Sequence, residues 1–177
     1  MTYIRESATL DGKEITFETG RMAKQTSGSV LVQQGETVVL VTCVGKGDRP
    51  DLPFFPLMCD YVEKTYAAGA IPGSFFRREG RLAEHEVLNC RLIDRPIRPL
   101  FPDGYKGDTQ ITATVISADG QHQADVLAIT GASAAIMISE LPWSGPIAGI
   151  RVGRVDGKLI GNPSIAELAD SDMDLVI

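Results

Sequence analysis

Two β-branched runs with almost nothing between them constrain this chain most. Residues 28–32 (GSVLV) and 36–44 (ETVVLVTCV) carry the valine-rich signature of strands, and only Gln33, Gln34 and Gly35 separate them. A connection that short, with a glycine free to take positive φ, leaves a hairpin as the reading. Residues 13–18 (KEITFE) alternate like a further strand. Residues 56–63 (PLMCDYVE) read as another, after a proline-interrupted loop from Pro50 to Pro56.

The pattern then changes period. Residues 82–94 read as a helix, with Leu88 and Leu92 four apart and Glu84 and Glu86 in the first turn, where the helix dipole favours acids. Pro96 is expected to end it. Residues 111–117 (ITATVIS) form a strand, and 124–141 a long helix stopped by Pro142. The small residues Gly131 to Ala135 in that helix allow close packing on a sheet. Residues 148–155 and 158–160 make a hairpin around Asp156-Gly157. Strands, helix, strand, helix, strands predict an α+β layer fold.

Composition then narrows the class. The sequence has 177 residues, 44% hydrophobic and 23% charged, enough for one domain with a real core. There is no Gly/Ser-rich linker and no apolar run of the roughly 18 residues that a bilayer span needs. The start shows neither a signal-peptide apolar region nor an arginine-rich transit pattern, so no membrane association and a cytoplasmic location are expected. Cys43, Cys59 and Cys90 lie far apart in apolar surroundings, which predicts reduced, buried thiols. Two histidines, His85 and His122, are too few for a histidine-based metal site. The last seven residues (SDMDLVI) break off inside an apolar strand pattern, so a longer native chain is expected.

Charge is the next clue. A net charge of −6 argues against a generic nucleic-acid binder. Yet residues 75–98 hold six of the eleven arginines against four acids, so that window is +2 and the remainder −8. At its head, Phe75, Phe76, Arg77 and Arg78 sit in a loop bounded by glycine and proline. Aromatic faces flanked by arginines suit the bases of single-stranded nucleic acid, at roughly 1–3 kcal/mol per stacked base. A loop whose phenylalanines fold back onto the core is the competing reading. Arg91, Arg95 and Arg98 follow at spacings of four and three, one face of a helix if the helix persists past Pro96. Their guanidinium forks fit phosphate oxygens bidentately. They equally fit pairing with Asp94, Glu84 or Glu86 on neighbouring turns.

Residues 73–81 (GSFFRREGR) and 91–104 (RLIDRPIRPLFPDG) closely resemble the first core domain of the polynucleotide phosphorylases. Residues 28–37 (GSVLVQQGET), 131–135 (GASAA) and 172–177 (DMDLVI) extend the resemblance, in order, over essentially the whole chain. It implies a mixed sheet packed with helices, of the RNase PH-like (ribosomal protein S5 domain 2-like) type. It also implies a phosphorolytic 3′→5′ exoribonuclease that releases nucleoside diphosphates using inorganic phosphate and Mg²⁺. Residues 1–177 would be a truncated first core, followed in the full chain by a second core, a helical linker, and KH and S1 domains. Three chains would form a ring around single-stranded RNA, open to further RNA-degradation partners. Phe75, Phe76, Arg77 and Arg78 match the family's channel-constriction residues, and Arg91, Arg95 and Arg98 match arginines that guide RNA. One departure is Leu82-Ala83, where the family often has Pro-Ser. It removes a serine N-cap.

The family's chemistry is expected elsewhere. The second core's Asp, Asp, Lys set, which holds the divalent metal, falls here on Leu168, Asp174 and Val176, two of them apolar. Its serine-rich phosphate loop falls near residues 119–123 (DGQHQ), where Asp119 would repel an anion. Asp170, Asp172 and Asp174 are metal-like in spacing but read as an acidic approach to a strand. The resemblance therefore implies a non-catalytic core. An exosome-type ring subunit without catalytic residues, or a stand-alone RNA-binding module, shares the same core motifs.

Overall fold

The computed structural model describes residues 2–71 and 81–177. Six strands make the main sheet: β1 (Ile4–Leu10), β2 (Lys13–Thr19), β3 (Gly28–Gln34), β4 (Thr37–Asp48), β5 (Leu57–Glu63) and β6 (Gly107–Ser117). Their order is β1-β2-β3-β4-β6-β5, and a hairpin joins β3 to β4 as expected, although its turn is Gly35-Glu36 and Gln33 and Gln34 belong to β3. All neighbours are antiparallel except β5 and β6. A parallel pair needs a crossover, and α1 (Glu84–Ile97) lies between those two strands in sequence. The sheet is mixed and carries helices, so the α+β expectation holds.

The second helix, α2 (Ala124–Met137), explains where the core sits. Ten of its residues are buried, on every face. One side packs on β3 and β4, where Val30, Val32, Val39 and Val41 point inward at alternate positions. Gly131 makes this contact close: a Cβ there would come within 2.8 Å of methyls of both Val32 and Val41. The other side is crossed by residues 147–149, with Ser133 Oγ accepting the Ile147 N–H at 2.9 Å and Thr130 Oγ1 accepting the Gly149 N–H at 3.0 Å. That crossing leads into a small sheet, β8-β7-β9, made of β7 (Arg151–Val155), β8 (Lys158–Gly161) and β9 (Asp174–Val176).

Helix boundaries depart from the sequence pattern for identifiable reasons. Helix α1 continues through Pro96 to Ile97 and into a 3-10 turn. A proline in the last turn forfeits only the bond its N–H would give to the Leu92 carbonyl, and the Arg98 N–H still reaches the Asp94 carbonyl. The indole N–H of Trp143 takes the Ile97 carbonyl at 3.0 Å. Helix α2 stops four residues short of the expected 141. Ser139 Oγ donates to the Ile136 carbonyl at 2.6 Å and accepts the Leu141 N–H, which diverts groups that another helical turn would use. Pro142 lies beyond the true end.

Two elements lie outside the sequence reading. Strand β1 is exposed at all seven residues, so no buried face marks it. The Asp11-Gly12 turn, with both φ positive, is the hairpin signal that predicts it. Short helix α3 (Ile165–Ala169) carries a capping box in which Ser164 Oγ accepts the Glu167 N–H and Glu167 accepts the Ser164 N–H. The pattern Ser-x-x-Glu is legible in the sequence.

Candidate nucleic-acid interface

Phe75, Phe76, Arg77 and Arg78 lie outside the described residues. Residues 81–83 lead into α1, whose start is built without a side-chain cap. Ala83 occupies the N-cap position, as the loss of serine predicts. Glu86 compensates: one carboxylate oxygen accepts the Ala83 N–H at 2.6 Å and the other accepts the Glu63 N–H at 2.8 Å, pinning α1 to the end of β5. Buried in this role, Glu86 is not paired with any arginine among the described residues.

The three arginines of α1 separate into two kinds. Arg98 folds inward. Its Nε and Nη2 grip both oxygens of Asp94 at 3.0 and 2.6 Å, while Nη1 and Nη2 also donate to the carbonyls of Phe55 and Leu57, each at 3.1 Å. Four of its five N–H groups are thus spent on the fold. The guanidinium also lies 5.7 Å from the Phe55 ring centroid, beside a cluster of Phe55, Phe101 and Tyr105. Arg91 and Arg95 behave otherwise. Both are exposed, and among the described residues neither has a carboxylate or hydrogen-bond partner. They rim a shared groove whose floor is apolar, with Leu88, Leu92, Ile129, Ile147 and Val176. The spacing that suggested one arginine face therefore yields a pair plus a structural clamp. Asp94, four residues before Arg98, is what separates them.

The positions that the resemblance sets against the second core's Asp, Asp, Lys set lie in α3 and β9. Leu168 lies in α3 and Val176 in β9, both half-buried. The Asp174 carboxylate is held by Arg151, which also binds Asp125 at 2.5 Å. Asp172 pairs with Arg154 at 2.7 Å. Among the described residues no group of three His, Cys, Asp or Glu side chains could hold a metal ion. With Asp172 and Asp174 each held by an arginine, the side chains at these positions do not fit Mg²⁺.

The 119–123 loop departs from a plain repulsive reading. Asp119 Oδ1 accepts the N–H groups of Gln121 and His122 at 2.8 and 2.9 Å and the Thr37 hydroxyl at 3.0 Å. Oδ2 accepts the Glu36 N–H at 3.0 Å and lies 2.7 Å from His122 Nδ1. Burial pushes this carboxyl up, but the hydrogen bonds from His122, Gln121 and Glu36 outweigh it and hold the group well below the usual carboxylate range.

The cysteines are free thiols, Cys43 buried and Cys59 and Cys90 half-buried. Burial pushes Cys43 up to about 12 and raises the other two as well, so none is a ready thiolate.

Comparison with known proteins places this geometry. Residues 11–142 match the 3′ exoribonuclease family, domain 1, and residues 145–177 match domain 2 of that family. The polyribonucleotide nucleotidyltransferase of Sorangium cellulosum is 58% identical over 175 residues, 99% of this chain and 23% of that protein. Those of Anaeromyxobacter dehalogenans and Trichlorobacter lovleyi are 55% identical over 178 residues and 58% over 171, covering 100% and 96% of this chain. The chain spans about a quarter of the length of these relatives, 25% and 24% for the last two. Among solved structures, the exosome of Archaeoglobus fulgidus with RNA bound to the active site superposes with a TM-score of 0.62 at 20% identity, covering 97% of this chain and 72% of that one. That likeness concerns the fold. With both of its domain models matched in order along the chain, this protein belongs to the 3′ exoribonuclease family.

Proposed function

We propose that residues 1–177 are the first, non-catalytic core of a polyribonucleotide nucleotidyltransferase, a cytoplasmic phosphorolytic 3′→5′ exoribonuclease. In the whole protein, inorganic phosphate would attack the 3′-terminal phosphodiester and release a nucleoside diphosphate. The catalytic residues and their Mg²⁺ would belong to a second core in a trimeric ring. This core would grip single-stranded RNA through Phe75, Phe76, Arg77 and Arg78, with Arg91 and Arg95 following on α1.

The observation that supports this reading best is the pair Arg91 and Arg95, exposed and unpaired among the described residues, on the helix that follows residues 75–78 in sequence. An ordinary surface arginine beside Asp94 and Glu86 would be expected to pair with them, yet those acids serve Arg98 and the backbone instead. Guanidinium groups left free at an apolar groove suit a ligand that offers both phosphates and bases. Arg98, with one N–H left, acts mainly by fixing the end of α1.

The full-length protein tests this directly. Given poly(A) and phosphate it should release nucleoside diphosphates. The double variant Phe75→Ala with Phe76→Ala should retain RNA more weakly while melting as cooperatively as the parent. Cooperative melting lost in that variant, with RNA retention unchanged per folded molecule, would make the phenylalanines a core plug and overturn the gripping role.

A further inference from the structure

Helix α1 is held by different forces in its two halves. From Ile93 onward the anchors are apolar: Ile93 and Ile97 are 1% and 0% exposed, and the Arg98 clamp closes the end. In the first two turns, residues 84–90, the buried side chain is the Glu86 carboxylate. The large apolar side chains there, Val87 and Leu88, are 45% and 58% exposed. Among the described residues, hydrophobic contact therefore does not fix how this half is rolled about its axis.

A ladder of polar contacts does. Strand β5 is last in the order of its sheet, so on its outer edge every second residue presents N–H and C=O groups that no described strand takes. Helix α1 runs along this edge in the opposite sense. Glu86 accepts the Glu63 N–H at 2.8 Å, and Cys90 Sγ accepts the Tyr61 N–H at 3.1 Å. Asp94 lies 3.8 Å from the Cys59 thiol, and Arg98 donates to the Leu57 carbonyl at 3.1 Å. Four helical residues advance about 6.0 Å and two strand residues about 6.6 Å, so the stripe 86, 90, 94, 98 keeps step with 63, 61, 59, 57. Arg91 follows Cys90 by about 100° around the helix. That turn carries it from the sealed edge to the rim of the groove lined by Leu88, Arg95 and Ile129.

We propose that Glu86 is a positioning residue for RNA. By taking the Ala83 and Glu63 N–H groups together, it sets the roll of the first half of α1 and so holds Arg91 at the groove rim. Arg95 lies beyond Ile93 and is held by the apolar anchors instead. The inference rests on the reading that Arg91 meets RNA phosphate.

A double-mutant cycle in the full-length protein tests it, read as the slope of log affinity for a labelled oligoadenylate against log salt. Arg91→Ala should flatten the slope by about 0.7 in the parent, one single-strand phosphate contact. In a Glu86→Ala background the same change should flatten it by close to nothing, because Arg91 has already lost its place. The missing Glu86 charge is common to both arms of that background and cancels. Arg95→Ala should flatten the slope equally in the two backgrounds. If Glu86→Ala does not fold, Glu86→Gln takes its place: it keeps the shape and one acceptor, and should shrink the Arg91 effect while sparing that of Arg95. An Arg91 effect of equal size in both backgrounds overturns the proposal. Loss of the Arg91 and Arg95 effects together also overturns it, since Glu86 would then merely brace the whole helix. A parent slope that Arg91→Ala leaves unmoved overturns the RNA-path reading itself, and this proposal falls with it. The parent background alone therefore tells the two failures apart.

Discussion

At the scale of single residues, partners decide roles more than residue type does. Arg91, Arg95 and Arg98 share a helix and a residue type, and only Arg98 has an acid four residues behind it and the Phe55 and Leu57 carbonyls in reach. Glu167 shows the same logic with a measurable consequence. The Lys13 ammonium at 2.9 Å and the Ser164 N–H at 2.7 Å hold its carboxyl down to about 2, from an ordinary 4.5. A depressed pKa means that the unfolded state binds more protons between those values. The stabilisation is therefore complete above about pH 4.5 and is lost as pH falls through about 2. The bond ties α3 to β2, so acid should loosen that attachment first. Melting temperature followed from pH 6 to pH 2 should fall less steeply in Glu167→Gln than in the parent. Parallel curves would show that the Lys13 contact contributes nothing to the folded state.

At the scale of elements, the helix–sheet contact around Gly131 sets two known effects against each other. Gly131→Ala gains about 1 kcal/mol of intrinsic helix propensity. It also drives a methyl to within 2.8 Å of Val32 and Val41, in a core where both valines are fully or nearly inaccessible, and such overpacking costs about 1–3 kcal/mol. The net expectation is destabilisation of about 1 kcal/mol by urea unfolding, reversed in part when Val41→Ala makes room. A stabilised Gly131→Ala would mean that α2 is free to shift outward. This contact was legible from the small residues at 131–135, and the strands were legible from β-branched alternation, because both signals reflect burial. Where burial is absent the pattern fails: β1 has no inward face, and α3 is too short to show a period. The end of α1 departs from its local signal for another reason. Pro96 suggests a stop, and the clamp of Arg98 on Asp94 and the Phe55 and Leu57 carbonyls is a tertiary arrangement that no local signal contains. For the candidate interface, spacing revealed the arginines but could not say which of them the fold would consume.

At the scale of the whole molecule, a nucleic-acid interface must overcome the charge of its own body. The sequence carries −6 overall, with −8 outside the 75–98 window. That net negative charge disfavours RNA, and the proposed path along Arg91 and Arg95 has to offset it. Binding of a single strand loses about 0.7 in the slope of log affinity against log salt for each phosphate neutralised. Removing two such contacts in Arg91→Ala with Arg95→Ala should therefore flatten the slope by about 1.4. Repulsion from the acidic body is common to parent and variant, so it cancels in the difference. Because both side chains are exposed and unpaired among the described residues, the double variant should keep its stability within about 0.5 kcal/mol. Arg98→Ala should show the opposite signature. Its lost hydrogen bonds to Asp94 and two carbonyls predict about 2 kcal/mol of destabilisation, with a salt slope close to the parent's. Titrations of the full-length protein with a labelled oligoadenylate at several salt concentrations, paired with urea unfolding, separate the two behaviours. An unchanged slope in the Arg91/Arg95 double variant would remove α1 from the RNA path, and a flattened slope in Arg98→Ala would return the clamp to it.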